Sequence, residues 1–205
     1  MEEKVMIPGP AVTLEGRWTS GTGGGVVIAH PHPLFGGSMD NNVVWTARQA
    51  FRARGWATLR FNFRGVGGSS GAYGDGRGEV EDLITALGWL AVHNLTPCYL
   101  VGYSFGAYVT TQALAHGLEA AGALLISPPL AVMDLGILPQ VPGLTLIVVG
   151  NRDELCPVAD LKALLSKSSA PPEVVVLPGT DHFFGGREAQ LFQILRDYPL
   201  IPDSP

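Results

Sequence analysis

Short, nearly continuous apolar runs recur along the chain, and stretches with apolar residues three and four apart fill the intervals between them. The runs Val26 to Ala29, Ala57 to Phe61, Cys98 to Val101, Ala123 to Ile126, Leu144 to Val149 and Val174 to Leu177 predict strands. Several are almost wholly apolar, as strands buried on both faces are. A further strand over Val12 to Trp18 is expected antiparallel at the sheet edge. Helical patterns cover Val43 to Arg54, Glu79 to His93, Phe105 to His116, Val158 to Ser166 and Glu188 to Tyr198. This alternation predicts one α/β domain over residues 1–205: a doubly wound, mainly parallel sheet with helices on both faces.

Composition narrows the class. Hydrophobic residues make up 46% of the chain and charged residues 15%, the balance of a folded globular domain. The formal net charge of -5 is spread without basic blocks. That argues against a nucleic-acid partner, since phosphate binding needs clustered Lys and Arg. No apolar run reaches membrane-spanning length, and the longest, Ala120 to Met133, is broken by Pro128 and Pro129. Met1-Glu2-Glu3-Lys4 lacks the basic start and apolar stretch of a secretory signal. Cys98 and Cys156 read as inert buried thiols in a reducing compartment, so a cytoplasmic protein without a membrane partner is expected. The sequence carries no signature of an oligomeric state.

Sheets of this kind bind ligands beyond the carboxyl ends of their strands, so the loops there are the places to look for chemistry. The pattern Gly-x-Ser-x-Gly occurs twice. Gly67-Gly68-Ser69-Ser70-Gly71 lies in a glycine-rich stretch with no helix after it, and reads as a flexible turn. Gly102-Tyr103-Ser104-Phe105-Gly106 instead follows the strand run Tyr99-Leu100-Val101 directly and opens a helix. Strand, sharp turn and helix in succession form a nucleophile elbow. The turn strains the serine backbone and presents its hydroxyl above the sheet, at the positive end of the helix. The simpler alternative is a serine N-cap, but both glycines in this setting favour Ser104 as the nucleophile.

A serine hydroxyl needs a base to take its proton. Among the five histidines, His93 and His116 end amphipathic helices, where a cation suits the helix dipole. His182 follows the last apolar strand and comes after both the serine and an acid, the chain order this elbow requires. The orienting carboxylate is expected behind the strand Leu144 to Val149. Asp153 is the choice there and Glu154 its competitor, while Asp181 reads as shaping the histidine loop. His30-Pro31-His32 resembles the paired metal ligands of amidohydrolase barrels. Only His182 is left to complete such a site, so no metal is expected, and no cofactor motif occurs. Arg64 with Glu79 and Asp82 reads as an ion pair tying a loop to a helix end.

Together these strings resemble the α/β-hydrolase superfamily over nearly the whole chain, and more narrowly the small lidless bacterial hydrolases related to dienelactone hydrolase. The resemblance is carried by His30-Pro31-His32-Pro33-Leu34-Phe35-Gly36-Gly37 and Phe61-Asn62-Phe63-Arg64-Gly65 after the first two core strands. It is carried further by the elbow Val101 to Ala107 and by Asp181-His182-Phe183-Phe184. Dienelactone hydrolase has a cysteine nucleophile where this chain has Ser104, so the resemblance implies the fold and not the substrate. It implies an oxyanion hole made by the backbone N–H of Phe105 and that of His32 or Leu34, since Pro31 and Pro33 have none.

The expected activity is hydrolysis of a small acyl substrate through an acyl-enzyme, an ester first, with a thioester or lactone as alternatives. A catalytically silent binding protein is the alternative of another class. The interval Ser127 to Gly143 holds four prolines and is too short for a folded lid. An open pocket is therefore expected, its acyl side formed by Leu34, Phe35, Tyr103, Phe105 and residues near Leu130. An open site favours short acyl groups, with efficiency falling as the chain lengthens and no activation at a lipid surface.

Overall fold

The computed structural model describes residues 2–93 and 95–200. Among them β1 (Glu3–Pro8) and β2 (Thr13–Thr19) pair antiparallel, and β2 pairs antiparallel with β4 (Ala57–Phe61). With β3 (Gly25–Ala29), β5 (Cys98–Tyr103), β6 (Gly122–Ile126), β7 (Leu144–Gly150) and β8 (Glu173–Leu177), β4 forms a parallel block. The spatial order is β1-β2-β4-β3-β5-β6-β7-β8. The chain winds one way from β3 to β4 and the other way from β5 onward. The crevice where that direction reverses opens at the carboxyl ends of β3 and β5.

Side chains on successive strand positions point to opposite faces, and this divides the core into two. Val26 and Ile28 face α1 (Asn42–Ala53) and α5 (Glu188–Asp197), which pack on each other through Val43, Ala47, Phe51, Leu191 and Leu195. Val27 and Ala29 face α2 (Arg77–Ala91), α3 (Phe105–Ala115) and α4 (Val158–Leu165), packed through Leu83, Leu90, Val109 and Leu161. Each fully buried side chain of this size contributes about 1.5–3 kcal/mol. None of the described helices is long and apolar enough to cross a membrane.

The edge of the sheet differs from expectation. The strand read over Val12 to Trp18 is β2, and it lies inside the edge because β1 covers it. β1 escapes the sequence pattern because only Ile7 along it is buried. Between β6 and β7 the chain carries a single 3-10 turn, Leu138–Gln140, and no folded lid. The helix and strand limits otherwise fall within two residues of those read from the sequence.

The glycine-rich stretch after β4 is not the flexible turn its sequence suggests. Ser69 is buried; its Oγ accepts from the Glu15 N–H at 2.8 Å and donates to the Asn62 carbonyl at 2.7 Å. Glu15 Oε2 accepts from the Gly68 N–H and Asn62 Nδ2, and Oε1 pairs with Lys4 Nζ at 2.7 Å. Ser69→Ala leaves a buried N–H and a buried carbonyl unpaired. It is expected to cost about 1–3 kcal/mol in urea unfolding while any hydrolytic turnover at Ser104 is unaffected. A loss of turnover with unchanged stability would reverse that reading.

The Glu15 cluster also predicts an acid sensitivity. The hydrogen bond from Lys4, with the Gly68 N–H behind it, holds the Glu15 carboxyl down from its ordinary 4.5 to about 2. The folded state therefore binds this proton less readily than the unfolded one. The stabilisation is complete above pH 4.5 and is lost as the pH falls towards 2. The urea midpoints of wild type and Glu15→Gln are expected to differ at pH 7 and to converge near pH 2. A gap that stays constant over that range would show that the charge on Glu15 contributes nothing.

Candidate active site

The last residue of β5 and the first of α3 leave one position for the turn between them, and Ser104 occupies it at φ 53° and ψ −116°. Such a conformation costs a non-glycine residue on the order of 1–3 kcal/mol, and the packing around it must hold it there. Two close approaches do so. A Cβ at Gly102 would land on the Gly106 carbonyl, and one at Gly106 on the Ala29 carbonyl at the end of β3. The Ser104 N–H is tied to the Ile126 carbonyl at 2.9 Å, and its own carbonyl accepts from Ala107 and Tyr108.

Three of the residues singled out from the sequence meet here. His182 Nε2 lies 2.8 Å from Ser104 Oγ, and His182 Nδ1 lies 2.9 and 3.1 Å from the two Asp153 oxygens. Facing a carboxylate, Nδ1 carries the proton and donates it. Nε2 is then the acceptor for the Ser104 hydroxyl. Asp153 Oδ1 also accepts from the Leu155 and Cys156 N–H groups. Burial alone would raise the Asp153 pKa; the bonds from His182 and Cys156 and the neighbouring Ser127 hydroxyl outweigh it and hold the carboxyl below its usual range. The Ser127 hydroxyl lies close enough to act on that charge, yet closes no hydrogen bond of good geometry. Tyr103 donates its hydroxyl to the His182 carbonyl at 2.9 Å, and burial pushes its pKa up, so the phenol stays a donor.

The two competing acids are elsewhere. Glu154 is exposed beside the site, and Asp181 accepts from the Phe183 N–H, shaping the loop as its position suggests.

The two candidates for the second anion donor separate. The Leu34 N–H is already given to His32 Nδ1 at 3.2 Å. Among the described residues the His32 and Phe105 N–H groups have no protein acceptor. The His32 side chain, which the sequence gives no role, thus fastens its own loop. Its Nδ1 holds Leu34, its Nε2 meets the Tyr73 hydroxyl at 3.1 Å, and its ring packs 4.7 Å from that of Phe105. Desolvation lowers the His32 pKa despite the opposing Glu79 charge, which favours the neutral ring these bonds need.

Two clefts meet at Ser104 and share His32, Phe35 and Leu155. One, of about 490 Å³, is walled by Gly37, Asn41, Tyr103, His182 and Phe183. The other, of about 530 Å³, is walled by Phe105, Pro129, Val132 and Met133. Phe35 lies between them with 86% of its surface exposed. Leu34 lines neither cleft, because its side chain turns outward to solvent, and this corrects its expected place in the pocket. Pro129, Val132 and Met133 are the expected lining residues near Leu130, whereas Asn41 and Leu155 are lining residues that the sequence reading misses. These two come from loops whose course is set by the fold, and no local motif marks them. The Ser38–Asn41 turn is held by Arg60 and Asn62, which bond the Met39 carbonyl and N–H.

The remaining candidates have structural places. His30 is fully buried; its Nε2 accepts from the Phe63 N–H and its Nδ1 donates to the Pro31 carbonyl, so neither nitrogen has a lone pair for a metal. Desolvation pushes its pKa down to about 4, keeping it neutral. Arg64 pairs with Asp82 at 2.8 Å and with Glu81, while Glu79 instead accepts from the Gly74 and Gly76 N–H groups. Burial raises the pKa of both Cys98 and Cys156.

Comparison with known proteins shows a shared fold. The family described as serine aminopeptidase S33 matches residues 36–144, which include the elbow. An α/β serine hydrolase homologue from Coxiella burnetii is 40% identical, with a TM-score of 0.88 and 95% of each chain covered. A lidless α/β serine hydrolase from Xanthomonas campestris is 31% identical, with a TM-score of 0.90, covering 100% of this chain and 97% of the other. An uncharacterised protein of Rickettsia prowazekii is 34% identical over 98% of this chain and 90% of its own length.

Proposed function

Because this chain belongs to the serine aminopeptidase S33 family of α/β hydrolases, we propose that it is an esterase of short-chain carboxylic esters, with Ser104, His182 and Asp153 as its catalytic triad. The observation that carries the reading is the continuous hydrogen-bonded line from Ser104 Oγ through His182 to Asp153.

In the proposed reaction Ser104 Oγ attacks the ester carbonyl as its proton passes to His182 Nε2. Asp153 stabilises the imidazolium through Nδ1–H. The carbonyl oxygen becomes an oxyanion and accepts from the Phe105 and His32 N–H groups, which have no protein acceptor among the described residues. Collapse of this intermediate breaks the bond to the alcohol oxygen, which takes the proton from His182 and leaves an acyl-Ser104. Water then gives a proton to His182 and attacks the acyl carbon, and Ser104 recovers its proton as the acid departs.

The test is a panel of short-chain esters, thioesters and lactones, run beside labelling with a fluorophosphonate. Ester turnover with stoichiometric labelling of Ser104 supports the proposal. Turnover confined to thioesters or lactones would keep the triad and move the substrate class. A protein that neither turns over any of the panel nor takes the label is a binding protein.

A further inference from the structure

The two clefts at Ser104 are not equivalent, and the proton transfers of an acyl-enzyme cycle tell them apart. His182 must hand its proton to the departing oxygen, so the leaving alcohol lies on the side that His182 lines. That is the cleft of Gly37, Asn41, Tyr103 and Phe183. The acyl group, fixed at the same carbon with its oxygen towards Phe105 and His32, must extend the other way. That is the cleft of Phe105, Pro129, Val132 and Met133, in which His182 takes no part.

We infer that the substrates are esters joining a short apolar acid, held along Pro129, Val132 and Met133, to a neutral polar alcohol lying over Asn41. The inference rests on the esterase reading above and assigns its two subsites. The chemistry of the walls separates acid from alcohol. Among the residues lining the acyl cleft, His32 and Ser104 belong to the reacting centre and the rest are apolar. A peptide amino terminus would place its ammonium on this side, where no carboxylate lines the wall to receive it. The family name therefore does not carry an aminopeptidase activity to this chain.

The alcohol side is built differently. Asn41 Oδ1 is taken by the Val43 N–H, which leaves the Nδ2 donor of the same amide to face a hydroxyl. Leu155, His182 and Phe183 continue from this cleft into a neighbouring hollow of about 430 Å³ lined by Arg152, Glu154 and Asp181. Both signs of charge are present there, so the rim suits a hydrated neutral group better than an anion or a cation.

The acyl cleft is also short. Its outer wall is Val132, which has 65% of its surface exposed, so a chain that passes it returns to water. Each methylene packed inside raises kcat/KM by about fourfold, and those beyond Val132 add nothing. Butanoyl esters are thus expected to exceed acetyl esters of one alcohol by about sixteenfold, with no further gain for long chains.

Two measurements decide the assignment. The first is the crystal structure of the protein treated with 4-nitrophenyl ethyl butylphosphonate, whose butyl group stands for the acyl chain and whose ethoxy group stands for the alcohol. The expected adduct on Ser104 has butyl against Met133 and ethoxy beneath His182 and Asn41; the reverse placement overturns the assignment and leaves the esterase intact. Absence of any adduct on Ser104 overturns the esterase reading itself, and this inference with it. The second compares 4-nitrophenyl acetate and butanoate. Val132→Trp, an exposed position that tolerates the larger ring, is expected to abolish the butanoate advantage, read as the ratio of kcat/KM for the two esters. Asn41→Asp keeps the acceptor that caps α1 and is expected to leave the advantage intact, while weakening the preference for glyceryl monobutanoate over butyl butanoate. A butanoate advantage that survives Val132→Trp and disappears in Asn41→Asp assigns the subsites the other way round.

Discussion

Ser104→Ala is expected to lower kcat/KM for short-chain esters by about a million-fold, with the urea unfolding midpoint essentially unchanged. The two halves of this expectation have separate causes. The elbow is held by the close approaches at Gly102 and Gly106 and by the Ser104 backbone bonds, none of which involves the hydroxyl. Alanine accepts the same backbone at similar strain, so the fold persists. Turnover collapses because no other hydroxyl stands within reach of His182 Nε2 among the described residues. A residual rate about a thousandfold over water is expected from the Phe105 and His32 donors and from binding alone. Wild-type activity in this variant would remove Ser104 from the mechanism. Comparison with Ser69→Ala sharpens the test, since that change is expected to affect stability and spare turnover.

The parts of this site that were legible in the sequence are those fixed by local geometry. A strand, a glycine on each side of the serine and a helix leave the chain one way to turn, so Gly102 to Gly106 announces the position of Ser104 without any knowledge of distant contacts. Asp153 and His182 are likewise found because each follows an apolar strand, and parallel strands deliver their following loops to one end of the sheet. The glycine-rich loop around Ser69 shows where such reasoning stops. Its composition says flexible, but its partners Glu15, Lys4 and Asn62 come from β1, β2 and the end of β4. Hydrogen bonds across that sequence distance leave no local trace. His32 is a similar case, since its bond to Tyr73 joins two loops that follow different strands. β1 was missed for a third reason: an edge strand with one buried residue has too few apolar positions to show a period.

His182→Ala is expected to be about as damaging as Ser104→Ala, and the double variant no worse than either alone, because a serine that cannot lose its proton and an alanine are equally inert. Asp153→Asn is expected to lose about ten-thousand-fold. An asparagine amide facing Nδ1 donates where the carboxylate accepts, which favours the tautomer with its proton on Nε2. That proton then points at Ser104 Oγ, and the base is lost with the geometry intact. The carboxylate of Asp153 is held in place by the Leu155 and Cys156 N–H groups as well as by His182. The asparagine oxygen can keep those two bonds, so the loss falls on rate and not on folding. Glu154→Gln is the control: Glu154 is exposed, makes no bond to His182, and its variant should turn over esters at the wild-type rate. Steady-state kinetics of these variants, with unfolding curves to confirm the fold, check the set together. If Asp153→Asn retained wild-type turnover while Glu154→Gln lost it, the acid would have to be Glu154, and the loop after β7 would have to rearrange on binding substrate.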